Sequence, residues 1–183
     1  MRIAKTVGVA VVASVVAVGA VGCESTTEGA AGPEGSVDPS AAAATLWDPC
    51  TQIDDATLQS VGVLPSTKRS GVAGIEEPGW KVCSWRDAST RWQYTLGVWS
   101  TVNTVDSFRQ KPENVGFTPV EVSGRSGFQF LRSTDKRNED CHLVFPAVQG
   151  ALSLTVFNSA DGTTPPCDRL TAAAANLVPT LPS

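Results

Sequence analysis

The 183-residue chain is 42% hydrophobic and 17% charged, with 14 basic against 18 acidic side chains and a formal net charge of -4. That balance is too apolar for wholesale disorder and has neither a collagen-like nor a coiled-coil composition, and without a basic run it gives nucleic acid nothing to hold. The length suits one domain, or one domain with a tail.

In chain order, Met1 to Thr6 carries Arg2 and Lys5, and Val7 to Val21 is an unbroken stretch of Val, Ala and Gly with one Ser. A positive flank before a short apolar core is the pattern of a secretory signal, and the run is shorter than the roughly 20 residues a bilayer-spanning helix needs. Ala20-Val21-Gly22-Cys23 then sets small residues before a cysteine at the end of that run, which resembles a bacterial lipobox. There the cysteine thiol takes a diacylglyceryl group and the peptidase cuts before it. The chain departs from that pattern at Ala20, where a lipobox usually has Leu. The alternative is an ordinary signal peptide cut near Gly19 or Ala20.

Glu24 to Thr45 is built of Ala, Gly, Ser, Thr, Pro and acids, with Val37 its only larger apolar residue. It reads as a flexible spacer that would hold the domain about 25 Å from the bilayer. The expected organisation is a lipoprotein signal peptide over 1–22, an acylated Cys23 with its spacer over 23–45, and a folded domain over 46–183.

Within the domain, Asp54 is expected to cap a short helix to Val61, with Ile53 and Leu58 as a hydrophobic staple and Gly62 as the stop. Leu64 to Gly79, rich in Pro, Gly and charge, reads as a long loop. Trp80 to Arg86 and Arg91 to Thr101 read as strands, the second with Trp92, Tyr94, Leu96 and Val98 on one face. Thr104 caps a helix through Phe108 to Lys111, stopped by Pro112. Phe117 to Val122 and Gly127 to Arg132 flank a turn at Ser123 to Ser126, and Cys141 to Val148 and Ala151 to Asn158 flank another at Gln149-Gly150. In the second hairpin Leu152, Leu154 and Val156 should face inward opposite Leu143 and Phe145. A last helix is capped by Thr164, starts at Pro165, and turns Cys167, Leu170, Ala174, Leu177 and Val178 to one face. The expected fold class is α+β: a single domain with an antiparallel sheet of about six strands and helices packed on it.

Five cysteines is an odd number for an exported chain. Assigning Cys23 to lipid leaves Cys50, Cys83, Cys141 and Cys167, enough for two disulfides in an oxidising compartment. Three pairings are open. Cys50 with Cys83 and Cys141 with Cys167 is the expected one, because each bridge then closes a local unit of the fold. No metal or other cofactor is expected: there is no CxxC pair, and the single histidine, His142, directly follows Cys141, so the two point to opposite faces of a strand.

Trp47-Asp48-Pro49-Cys50, the short helix ending at Gly62, and Cys83-Ser84-Trp85 together resemble a large family of actinobacterial lipoproteins of unknown function. That family typically shows a lipobox, a low-complexity spacer, an Asp-Pro-Cys opening and a Cys-x-Trp strand. The resemblance covers nearly all of the mature chain and implies architecture and location, but no activity. A more distant likeness, to the extracellular sensor domains of actinobacterial Ser/Thr kinases, rests on element order and two disulfides and is an analogy.

Enzyme machinery is not evident. Gly124-Arg125-Ser126-Gly127 lacks the spacing of a nucleophile elbow, His142 reads as a satisfied or surface histidine, and the carboxylate pairs Asp54/Asp55, Glu76/Glu77 and Glu139/Asp140 sit in loops or helix starts. The tryptophans are less routine. Trp47, Trp80, Trp85, Trp92 and Trp99 all fall in the first half of the domain, and Trp99 is out of phase with the Trp92 to Val98 stripe. Core packing is the simpler account. The other is an aromatic groove for a glycan or lipid, at Trp99, Trp80 and the Leu64 to Gly79 loop.

The expected role is a non-catalytic binding or structural module of the cell envelope, lipid-anchored on the extracytoplasmic face of the membrane, with an envelope protein, glycan or lipid as partner. The alternatives are a carrier of a hydrophobic ligand, which should show a large apolar cavity; a sensor-like domain; and a hydrolase, which should show His142 beside a Ser or Asp in a cleft.

Overall fold

The computed structural model describes residues 43–183; Cys23, the apolar run and nearly all of the spacer lie outside them. Asp48 accepts a hydrogen bond from the Cys50 N–H at 2.8 Å, and Pro49 brings a preset φ to the first helical position, so the Asp-Pro-Cys tripeptide starts helix α1 (Pro49–Gln52). Asp54 then caps α2 (Asp55–Ser60) through the Thr57 N–H, and its staple residues Ile53 and Leu58 are both buried. These hydrogen bonds hold the Asp54 carboxyl below its ordinary pKa.

Seven strands follow: β1 (Arg69–Ser70), β2 (Trp80–Arg86), β3 (Tyr94–Thr101), β4 (Asn114–Val122), β5 (Arg125–Arg132), β6 (Asp140–Ala147) and β7 (Gly150–Asn158). They form one sheet in the order β1-β2-β3-β7-β6-β5-β4, every neighbouring pair antiparallel. Helix α3 (Val105–Arg109) interrupts the strands, and α4 (Pro166–Leu177) closes the chain with a 3-10 turn at Val178–Thr180.

Alternation along the strands divides the residues between two faces. On one, Leu96 and Val98 of β3, Leu152, Leu154 and Val156 of β7, and Leu143 and Phe145 of β6 meet Leu170, Ala174 and Leu177 of α4 and Leu58 of α2, all of them nearly or fully buried. Both disulfides lie on this face. Cys50–Cys83 ties α1 to β2 across a separation of 33 residues, and Cys141–Cys167 ties α4 to β6 across 26. Each bridge therefore fastens a helix to the strand it covers.

The proportions differ from expectation: the class is mostly β with few helices, and the sheet has seven strands instead of about six. The added strand comes from the Leu64 to Gly79 segment. A two-residue strand has no periodicity to read. That segment is also more anchored than a free loop: Thr67 Oγ1 donates to Leu64 O and accepts from the Arg86 N–H, Leu64 N–H donates to Arg86 O, and Val72 and Ile75 exchange backbone hydrogen bonds across a tight turn.

Trp92 is a second correction. It does not share the stripe of Tyr94, Leu96 and Val98, because β3 begins only at Tyr94, and the residue is 40% exposed, its ring beneath the Arg86 guanidinium. The cause is Asp87. Its buried carboxylate accepts from the backbone N–H groups of Ser89, Gln93 and Tyr94, which draws the preceding residues out of the ladder into a turn. Burial alone would raise the Asp87 pKa, but the Ser89 side chain and the Gln93, Tyr94 and Ser89 N–H groups outweigh it and hold the carboxyl below its ordinary value. Smaller shifts occur at helix ends: α4 starts at Pro166, one residue beyond Pro165, and Thr164 supplies no side-chain cap, its carbonyl instead accepting from Asn158 Nδ2.

Candidate functional site

The other sheet face carries Trp80 and Val82 of β2, Gly97 and Trp99 of β3, Ser153 and Thr155 of β7, Asp140, His142 and Val144 of β6, and Phe128 and Phe130 of β5. Among the described residues no long helix covers it, and the short α3 lies against one end, inserting the buried Phe108 among the rings.

Beside α3 the face hollows into an open pocket of about 320 Å³. Trp80, Trp99, Phe108 and Phe130 supply its aromatic walls, and His142, Ser153 and Thr155 part of its base. Lys111, Glu113, Asn114 and Arg132 come from the chain after α3 and the end of β5, while Val72 and Glu77 come from the segment before β2. The sequence thus brings six separate stretches of chain to one hollow.

The geometry of the rings follows from Gly97. A Cβ at that position would lie 2.9 Å from the Trp99 indole nitrogen, closer than a real side chain allows. With no side chain there, the Trp99 indole folds back along the strand onto the sheet and forms a floor. Trp80 stands against it at 85°, with centroids 5.9 Å apart, and forms a wall. That wall is held in turn by Phe108 at 5.8 Å and by the Lys111 ammonium 5.6 Å from its ring. Phe108 continues to Phe130, on which the His142 ring stacks at 4.8 Å and 15°.

His142 is neither a plain surface residue nor fully satisfied. Its side chain is 12% exposed, and Nδ1 is 3.0 Å from Thr155 Oγ1. Its Nε2 is 3.5 Å from Asp140 Oδ1. Among the described residues, Trp99 Nε1, His142 Nε2 and Asp140 Oδ1 are buried side-chain atoms without a hydrogen-bond partner. Ser153 is committed, its hydroxyl donating to Leu143 O at 2.7 Å.

The two sequence candidates for ligand contact, Trp80 and Trp99, are therefore neighbours on one pocket, and the Leu64 to Gly79 segment reaches it through Val72 and Glu77. Trp85 lies on the helix-covered face and is 1% exposed. Trp47 packs at the margin of that same core. Sequence reading missed Phe108, Phe130, Asn114, Lys111 and Arg132. A usable signal existed for part of the rest: His142, Ser153 and Thr155 occupy the positions alternating with the inward Leu stripes of the last hairpin. Cys23 lies outside the described residues. Among the described residues no cluster of His, Cys, Asp and Glu is able to hold a metal ion, and no helix is long and apolar enough to cross a membrane.

A family model described as "Protein of unknown function (DUF3558)" matches residues 18–180, and the chain belongs to that family. No curated protein and no solved structure matches the chain.

Proposed function

We propose that this chain is a membrane-anchored lipoprotein of the actinobacterial cell envelope whose open sheet face binds a ligand without transforming it. The observation that carries the binding role is the corner of Trp80 and Trp99, two large rings set at 85° in an open pocket with polar groups on its rim. Apolar walls with a few convergent polar groups are the ordinary composition of a ligand site. The tether is supported by Arg2 and Lys5 before the Val7 to Val21 run and by Cys23 after small residues. A carrier that swallows an acyl chain is less well supported, because the pocket is open and its lining includes four formally charged side chains, Glu77, Lys111, Glu113 and Arg132.

The experiment has two arms. Cys23→Ala should abolish the acylated mass and release the protein from the membrane fraction; unchanged fractionation with no acylated mass in the parent would defeat the anchor. Tryptophan fluorescence titrated with envelope glycolipids should respond in the parent and fail in Trp99→Ala, while that variant loses no more than about 2 kcal/mol of stability. A large loss of stability in that variant would return Trp99 to the core.

A second reading, a hydrolase, is favoured by one observation: Asp140, His142 and Thr155 lie in line beside the pocket. Against it, the strands around Thr155 are interior to the sheet, so their backbone N–H groups serve the ladders and are unavailable as oxyanion donors. Ester turnover lost in His142→Gln would favour this reading over binding.

A further inference from the structure

Resting on the binding reading above, we infer that the pocket takes a neutral pyranose sugar, stacked by its C–H face on Trp99 against the wall of Trp80. Four observations converge on that ligand class. First, the Trp99 floor is a flat apolar platform: its lower side lies over Gly97, which leaves the outward side to line the pocket. A pyranose ring presents axial C–H bonds on one face, polarised positive, and these suit the negative face of an indole.

Second, the rim offers planar polar groups with free hydrogen-bonding capacity. Glu113 and Arg132 make no side-chain hydrogen bond or ion pair among the described residues, and Asn114 uses only Nδ2, toward Phe108 O at 2.9 Å. A carboxylate, a guanidinium and an amide oxygen each match a pair of vicinal hydroxyls, whereas an acyl chain would strip their water and return nothing.

Third, formal charge cancels around the pocket: Lys111 and Arg132 against Glu77 and Glu113. An anion or a cation would meet both an attracting and a repelling pair, so an uncharged ligand is favoured. Fourth, the pocket volume of about 320 Å³ lies at the small end of ligand sites, which suits one or two sugar rings.

The test uses the full chain carrying Cys23→Ala and a set of neutral disaccharides (cellobiose, mannobiose and N,N′-diacetylchitobiose), with sodium laurate and glucuronic acid as contrasts. Binding is followed by tryptophan fluorescence and calorimetry at low and high ionic strength. At least one neutral disaccharide should bind with an affinity insensitive to salt. Gly97→Val, which places a side chain under the indole in a strand-compatible backbone, should weaken it about tenfold or more. Trp99→Leu and Glu113→Ala, which leave the strand backbone untouched, keep the test valid if the valine variant folds poorly, and each should also weaken binding at unchanged fold. Binding of glucuronic acid alone, with steep salt dependence, overturns the neutral-sugar assignment. Binding of laurate but no sugar, abolished by Trp99→Leu, overturns the sugar assignment and leaves the pocket reading intact. No response to any probe overturns both.

Discussion

The two faces of the sheet are built from the same strands and differ in almost everything else. One is aliphatic, covered by α2 and α4, and stapled by both disulfides. The other is aromatic and polar, covered at one end by a five-residue helix, and hollows into an open pocket. The contrast teaches how a small domain divides its work: stability is concentrated where helices are bolted down, which leaves the opposite face free to carry groups that folding alone does not require.

Substitutions that compare the two faces test this division. The largest effect is expected for Trp85→Ala on the closed face, where loss of a fully buried ring should cost about 3 to 5 kcal/mol in chemical denaturation. Its partner measurement, Trp99→Ala on the open face, should cost only about 1 to 2 kcal/mol, in keeping with a half-buried ring that packs over Gly97 and against Trp80. Equal losses would erase the distinction. Next comes the double variant Cys141→Ala with Cys167→Ala, which unfastens α4 from β6 and should lower stability by about 2 to 4 kcal/mol while sparing the Trp80–Trp99 corner. The near-ultraviolet circular dichroism of the tryptophans should remain.

Asp87 gives a smaller, pH-dependent effect. Its folded pKa is below that of the unfolded chain, so its stabilisation is complete above about pH 4 and is lost as pH falls through the depressed folded value. Asp87→Asn should lower stability at neutral pH by about 1 to 3 kcal/mol and flatten the acid limb of the stability curve. An unchanged acid limb would remove Asp87 as the organiser of the turn before β3. The smallest effect belongs to the rim: Arg132→Ala, an exposed side chain with no partner among the described residues, should leave the melting temperature unmoved.

Local rules carried much of the closed face into the sequence. Asp54 capping, the Ile53 and Leu58 staple, the alternation of Leu152, Leu154 and Val156 opposite Leu143 and Phe145, and the local cysteine pairing all depend on residues near in sequence or on a clean period. Readings failed where a single side chain redirected the backbone, as Asp87 does before Tyr94, or where a strand was too short to have a period, as at Arg69–Ser70. The pocket was legible in its tryptophans and, through the alternation of the last hairpin, in His142, Ser153 and Thr155. Phase singled out Trp99, yet Phe130 joins it through pairings between distant strands and Phe108 through the docking of α3, and no local pattern encodes such long-range contacts.

The most direct measurement of the division between the faces is the set of indole N–H resonances in a 1H–15N spectrum, one for each of the five tryptophans, recorded as a neutral disaccharide is added. The account predicts that the Trp99 and Trp80 signals move together and saturate, while Trp85, buried in the core of the closed face, stays fixed. Movement of Trp85 or Trp92 with Trp99 unmoved would contradict it.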